Sequence, residues 1–215
     1  MTSKAFWALR AAGKYEEART FLLEQLTSKC PNNGEELYLL GRVAEEGLLG
    51  FSEDLPWADY LILGASDRGH EASVILCIPH DRPELLPPFS TLTCAYARAL
   101  WYQFMARFHE SDYYKELETE SMKEAAAAGN IHAMRKCGPE WIKRGAALGD
   151  LACLAMEVET SSDFGHVFEC VKMAAFQGSI NACTQMINAF TRNLPAHLGD
   201  ISRTWHIDWV LNCLN

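Results

Sequence analysis

The sequence predicts an all-α fold built as an array of short helix pairs, on three observations. "AAAAGNIHA" at 125–133 and "AAFQGSINA" at 174–182 keep the pattern A-A-x-x-G-x-x-x-A while the residues between the small ones change. Aligned on Gly69, Gly129, Gly149 and Gly178, the residues four positions earlier are Ala65, Ala125, Gly145 and Ala174, and those three earlier are Ser66, Ala126, Ala146 and Ala175. Seven earlier stand Ile62, Met122, Ile142 and Val171, all apolar. These offsets fall on one face of an α-helix. Small residues on that face let a neighbouring helix approach closely, and the glycine ends the helix by taking a left-handed conformation. Third, Asn130, Asp150 and Ser179, directly after three of the glycines, are residues that favour the N-cap of a following helix, with His70 the exception.

Taken in order, residues 5–33 form a first pair, with Gly13, Tyr15 and Ala18 at the turn into its second helix. A second unit covers 35–73, its second helix opened by the capping Asp54 and by Pro56 in the first turn. Residues 79–90 hold Pro79, Pro83, Pro87 and Pro88 and cannot be continuous helix. Ser90 is expected to cap the long helix of "TLTCAYARALWYQFMARFHE", and Ser111 or Asp112 to start another that runs to Gly129, completing a unit at 91–129. The unit at 130–149 has room for only a truncated first helix before Pro139 opens its second, and a further unit covers 150–182. In the C-terminal helices at 183–215, Ile201, Trp205, Trp209, Val210 and Leu214 outline one face of a last helix that would cover the final apolar surface of an array or dock another chain.

The corner A-A-x-x-G-x-x-x-A resembles the Sel1-like repeat, a relative of the tetratricopeptide repeat. Residues 35–73 match best, with Leu40 and Gly41 in the first helix, Gly47 and Gly50 at the turn and Ala58 in the second helix, while residues 5–33 look more like a tetratricopeptide unit. The resemblance covers about residues 5–190. It implies a right-handed α/α solenoid, here irregular because the four glycines are unequally spaced, and a protein or peptide partner bound on the repeat surface.

Composition narrows the function classes. A hydrophobic content of 49% supports a buried core, and a net charge of -9 without a basic block opposes a phosphate-binding surface, so no nucleic-acid partner is expected. Neither a signal-peptide pattern nor an 18-residue apolar stretch occurs, which points to a cytoplasmic protein that is not inserted in a membrane. The eight cysteines form no C-x-x-C pair, and Cys77 with His80 has no second pair to complete a zinc site, so no metal or other cofactor is expected and the thiols read as free and mostly buried.

No catalytic constellation stands out. "GKYEE" lacks the rest of a P-loop, the carboxylates of "HESDYYKELETE" with His109 fit a solvated helix start, and His132 and His166 lie next to turns, where a polar surface role is the expectation. Cys153 and Cys183 fall in repeat corners. The candidate binding strip is "YARALWYQFMAR" and its following Phe108, rich in the aromatics and arginines typical of interface hot spots. Trp101, Met105 and Phe108 share a stripe with Ala97 and are expected to pack inward. Arg98 and Tyr102 are expected on the exposed flank and, with Arg107, Trp205 and Trp209, are the candidate contact residues. The sequence reading is therefore a non-enzymatic adaptor or scaffold. A subunit built permanently into a large assembly is the first alternative, and a thiol-dependent enzyme the second.

Overall fold

A computed structural model describes residues 2–27, 33–47, 54–161, 163–177, 183–186 and 188. Among these there is no strand. The helices are α1 (Thr2–Ala11), α2 (Tyr15–Thr27), α3 (Gly34–Glu46), α4 (Leu55–Asp67), α5 (Glu71–Leu76), α6 (Ala95–His109), α7 (Asp112–Ala127), α8 (Ile131–Met134), α9 (Pro139–Ala147), α10 (Leu151–Thr160) and α11 (Phe164–Phe176). Two 3₁₀ turns, Pro83–Leu85 and Phe89–Thr91, carry the proline-rich stretch between α5 and α6. Gly178, Trp205 and Trp209 lie outside the described residues, as does the expected C-terminal helix.

Local chemistry sets the helix ends. Gly69, Gly129 and Gly149 have φ of 76°, 95° and 78°, the left-handed region that reverses the chain after a helix. The side chain of Asn130 accepts from the Ala133 N–H, that of Asp150 from Cys153, and that of Asp54 from Trp57. His70 departs from expectation, because it too is an N-cap: its Nδ1 accepts from the Ser73 N–H at 3.3 Å and lies 2.8 Å from the Ser73 hydroxyl. Ser90 does not cap the long helix, since the turn at Phe89–Thr91 intervenes and α6 starts only after Cys94. No side chain caps α6, and the segment just before it is held from α5. Glu71 Oε2 accepts from the N–H groups of Thr93 (2.9 Å) and Cys94 (2.8 Å), and Oε1 from the Thr93 hydroxyl (2.5 Å).

The small residues stand where helices touch. Ala65, Ala125, Ala126 and Ala174 are fully buried, and Ala175 is partly so. A Cβ added to Gly41 would come 2.8 Å from Ile62 Cγ1 and 3.2 Å from the Ala58 carbonyl, so α3 and α4 pack with no room for a methyl group. At Gly145, in α9, an added Cβ would run into Cys153 Sγ on α10, which explains why glycine holds a place that alanine takes elsewhere.

Two apolar clusters form the interior. One contains Phe6, Leu22, Leu40, Val43 and Leu61 from the first four helices together with Leu154, Val158 and Val171 from α10 and α11. The other gathers Ile75, Tyr96, Leu100, Met122 and Met134 from α5 to α8. Helices from both ends of the described chain thus share one core, instead of meeting only their sequence neighbours.

Gly145→Ala is expected to cost about 1–3 kcal/mol because the methyl group overpacks the α9–α10 contact, whereas Gly64→Ala, whose Cβ would meet Leu37 Cδ1 at an ordinary 3.5 Å, changes stability little or raises it. Urea unfolding of both variants checks this, and a cycle with Cys153→Ala is expected to show that the Gly145 penalty shrinks once the sulfur is gone.

Candidate protein-binding surface

Helix α6 divides its side chains by face. Tyr96, Ala97, Leu100 and Phe104 are buried, Trp101, Tyr102 and Met105 are partly covered, and Arg107 and Phe108 are exposed. Phe108, expected inward, is 48% exposed. The buried stripe centres on Leu100 and Phe104, so Phe108 falls on its flank in the last turn, just before Glu110 breaks the helix with φ 50°.

On that flank the aromatic rings form a continuous chain. The Trp101 indole N–H donates to the Pro87 carbonyl at 3.1 Å, which pins the ring to the proline-rich stretch. Phe89 lies 5.2 Å from Trp101 and 4.9 Å from Tyr102, Tyr102 is 6.4 Å from Tyr114 on α7, and Tyr114 stacks with His109 at 5.9 Å. Phe108 contacts His109 at 5.1 Å, and Tyr113, 65% exposed, contacts Tyr114 at 5.6 Å. Edge-to-face and offset contacts at these spacings favour rigid ring arrays. Burial, followed by the neighbouring Tyr113, pushes the Tyr102 phenol above its usual value. Arg98 donates to Glu124 (2.8 Å) and to the Thr93 carbonyl (3.1 Å), so it braces α6 against α7 and the residues before it. Of the candidate strip, the structure therefore brings Tyr102 and Phe108 into one chain of aromatic rings, leaves Arg107 exposed on another side of the helix, and gives Arg98 a bracing position. Phe89, Tyr113 and Tyr114 complete the surface. They were missed because they lie in other segments, although two adjacent tyrosines at an otherwise charged helix start were a visible signal.

A second cluster, buried between the two apolar clusters, escaped the sequence reading altogether. Arg135 Nη2 donates to Glu46 Oε1 at 2.8 Å, and Nε to Asp150 Oδ2 at 2.9 Å, with a further short contact between Nη2 and Asp150 Oδ1. Asp150 is fully buried, and its Oδ2 also accepts from the Cys153 N–H, so one carboxylate caps α10 and neutralises Arg135. Burial pushes the Glu46 carboxyl up against the opposing pull of Arg135. Arg42 pairs with Glu45 at 2.6 Å and meets both ring nitrogens of His132, at 3.0 and 2.9 Å. His132 is buried, contrary to its expected surface role, because all four residues of α8 lie in the interior. Burial, and then Arg42 and Arg135, hold its imidazole well below the usual range. The sequence signal was Arg42 and Glu46, four apart on a helix whose other faces are apolar.

Thiol chemistry finds little support in the geometry. Cys170 Sγ lies 3.7 Å from His166 Nε2, but Glu157 contacts that same nitrogen at 3.0 Å, whereas a triad uses the two ring nitrogens for the acid and the nucleophile separately. Burial, aided by Glu157 and Glu169, pushes the Cys170 thiol up to about 11, and burial likewise raises Cys77, Cys137 and Cys153. An activated nucleophile needs the opposite shift. Among the described residues no group of three or more His, Cys, Asp or Glu side chains has a metal-holding arrangement, and no helix is long and apolar enough to cross a membrane. No family model matches the chain, and neither the curated proteins nor the solved structures contain a match.

Asp150→Ala is expected to cost roughly 3–5 kcal/mol by leaving Arg135 buried beside Glu46 alone, with loss of the α10 cap included; chemical denaturation reads this. Glu71 gives a pH signature. Burial alone would raise its carboxyl, but the hydrogen bonds from Thr93 and Cys94 outweigh burial and hold it below the ordinary value. The folded state therefore binds its proton less readily than the unfolded one. The stability that Glu71 contributes is full above the unfolded carboxyl pKa of about 4.3 and is lost as pH falls from there through the lowered folded value. Melting temperatures of wild type and Glu71→Gln should differ at pH 6 and converge on acidification.

Proposed function

We propose that the chain is a non-enzymatic adaptor of the helical-repeat kind, built on corners that resemble Sel1-like and tetratricopeptide units, and that it binds a protein partner on the aromatic surface of α6 and α7. The observation that carries this reading is the ring chain from Phe89 through Trp101, Tyr102 and Tyr114 to His109, with Phe108 and Tyr113 exposed at its rim. Rigid aromatics bind at low cost in side-chain entropy and are among the residues that dominate protein interfaces. The inner rings are fixed by contacts within the protein, so the exposed Phe108 and Tyr113 project from a preformed base. Recognition would rest on shape and side-chain complementarity.

A fixed subunit of a large particle would use the same surface permanently. Size-exclusion chromatography of a gentle lysate with cross-linking mass spectrometry separates the two: elution near the 24.1 kDa of the chain, with cross-links from Lys115 or Lys123 to a substoichiometric protein, supports the adaptor. Elution only within a particle of fixed composition overturns it. Once the partner is identified, Phe108→Ser with Tyr113→Ser is expected to weaken its binding at least ~10-fold while leaving the far-UV circular dichroism and melting temperature unchanged. Tyr60→Ser, which changes a 72% exposed tyrosine on α4, is expected to leave binding intact.

A further inference from the structure

Helices α6 and α7 run antiparallel, as the pairing of Arg98 with Glu124 and of Gln103 with Glu118 shows. The aromatic rings gather towards the end where the chain turns from one helix to the other. At the opposite end, where α6 begins and α7 stops, lies a cavity of about 440 Å³, within the ~300–1,000 Å³ of small-molecule sites. Tyr96, Met134 and Leu148 give it an apolar wall. The space exists because the residues around it are small: Ala125, Ala128 and Gly129 from a repeat corner, and Ala8 of α1. Nothing stands within 4 Å of where a Cβ on Gly129 would lie, and Cys94, Ala128 and Gly129 are exposed, so the cavity is reached from solvent.

Two side chains bring donors to this wall and none brings a carboxylate. Arg144 is its one formal charge, positive in a chain of net charge -9. The guanidinium lies 5.4 Å from the Trp141 ring and has no ion-pair partner among the described residues. An arginine set on an aromatic face keeps its N–H fork available for a planar carboxylate. The Asn130 side-chain oxygen already accepts from the Ala133 N–H, which leaves its amide NH₂ to offer. No side chain caps α6, whose first residues Ala95 and Tyr96 also line the cavity. Two carboxylates belong to this end of the helix pair without standing on the wall, and both have donors of their own: Glu71 from Thr93 and Cys94, Glu124 from Arg98.

We propose that this cavity binds a small organic carboxylate with an apolar body, the body lying against Tyr96, Met134 and Leu148 and the carboxylate on the Arg144 guanidinium. Burial of the body supplies affinity, and the single cation sets the sign of the charge accepted. An amine would face Arg144 with a like charge, and a neutral amide would forgo the charge-assisted hydrogen bond. The site is separate from the aromatic surface, and neither reading depends on the other.

The test titrates phenylacetate, 1-naphthaleneacetate and octanoate into the intact chain by isothermal titration calorimetry, each beside its primary amide. Cys94, on the wall, is a local reporter: its alkylation by iodoacetamide is followed by peptide mass spectrometry, with the exposed Cys77 as control. At least one acid is expected to bind ~10-fold or more tightly than its amide, and at saturation to slow Cys94 alkylation by a similar factor while Cys77 reacts as before. Arg144→Gln is expected to erase the preference for acid over amide. Ala128→Leu, which puts a larger side chain into the cavity from an exposed position, is expected to abolish the protection of Cys94, and both variants to keep the wild-type melting temperature. Binding by none of the acids, equal binding of acids and amides, protection of Cys77 along with Cys94, or a preference that survives Arg144→Gln overturns the proposal.

Discussion

The guanidinium of Arg135 is the constraint on which the described structure turns. It takes one carboxylate from α3 and another from the residue that caps α10, and so fixes three segments that are far apart in sequence. A planar donor with a fixed fork demands its acceptors in defined directions, which an apolar contact does not. The desolvation of so many charges offsets much of the attraction between them, so the pairing gives geometric definition more than net stability. The apolar clusters on either side supply the bulk of the favourable burial, and the buried charges dictate how the two halves register. His132 fits because it is neutral, since a second cation beside Arg42 would unbalance the site.

Close packing at the corners supports this arrangement. Gly41 against Ala58 and Ile62, and Gly145 against Cys153, show helices brought nearer than any side chain would permit. At Gly149 two demands coincide, because a left-handed backbone and the approach of Gln177 within 3.2 Å of a would-be Cβ both exclude other residues. The turn is then tight enough to leave its carbonyl for Arg10. Small residues here determine which distant groups can meet.

What the sequence disclosed was local. The turns at Gly69, Gly129 and Gly149, the caps at Asp54, Asn130 and Asp150, and the opening of α9 by Pro139 depend on neighbours within a few positions, and such interactions leave a readable pattern. The errors lie where the partner is remote. Glu71 holds the segment that leads into a helix from 22 positions away, which no local rule anticipates, and the burial of His132 goes with the approach of α3, 90 positions away. The aromatic surface was half legible: α6 displayed its rings as a run, but the partners from Phe89 and Tyr114 joined it only through the fold. Phe108 was misplaced because the period of a helix gives the spacing of a stripe and not which stripe faces inward.

The reach of Glu71 has one further consequence. By holding the N–H groups of Thr93 and Cys94, this carboxylate at the start of α5 closes α5 and the proline-rich excursion into one loop, which Pro87 and Phe89 tie to α6 near its second end. The crest at Asp81 and Arg82 is exposed and carries none of the ring contacts. Closure of a chain whose ends are already fixed becomes harder only logarithmically with length, by about 0.6 kcal/mol per doubling. The excursion is therefore a place where related chains can gain or lose residues without disturbing the helices, and where length can diverge while the architecture stays the same.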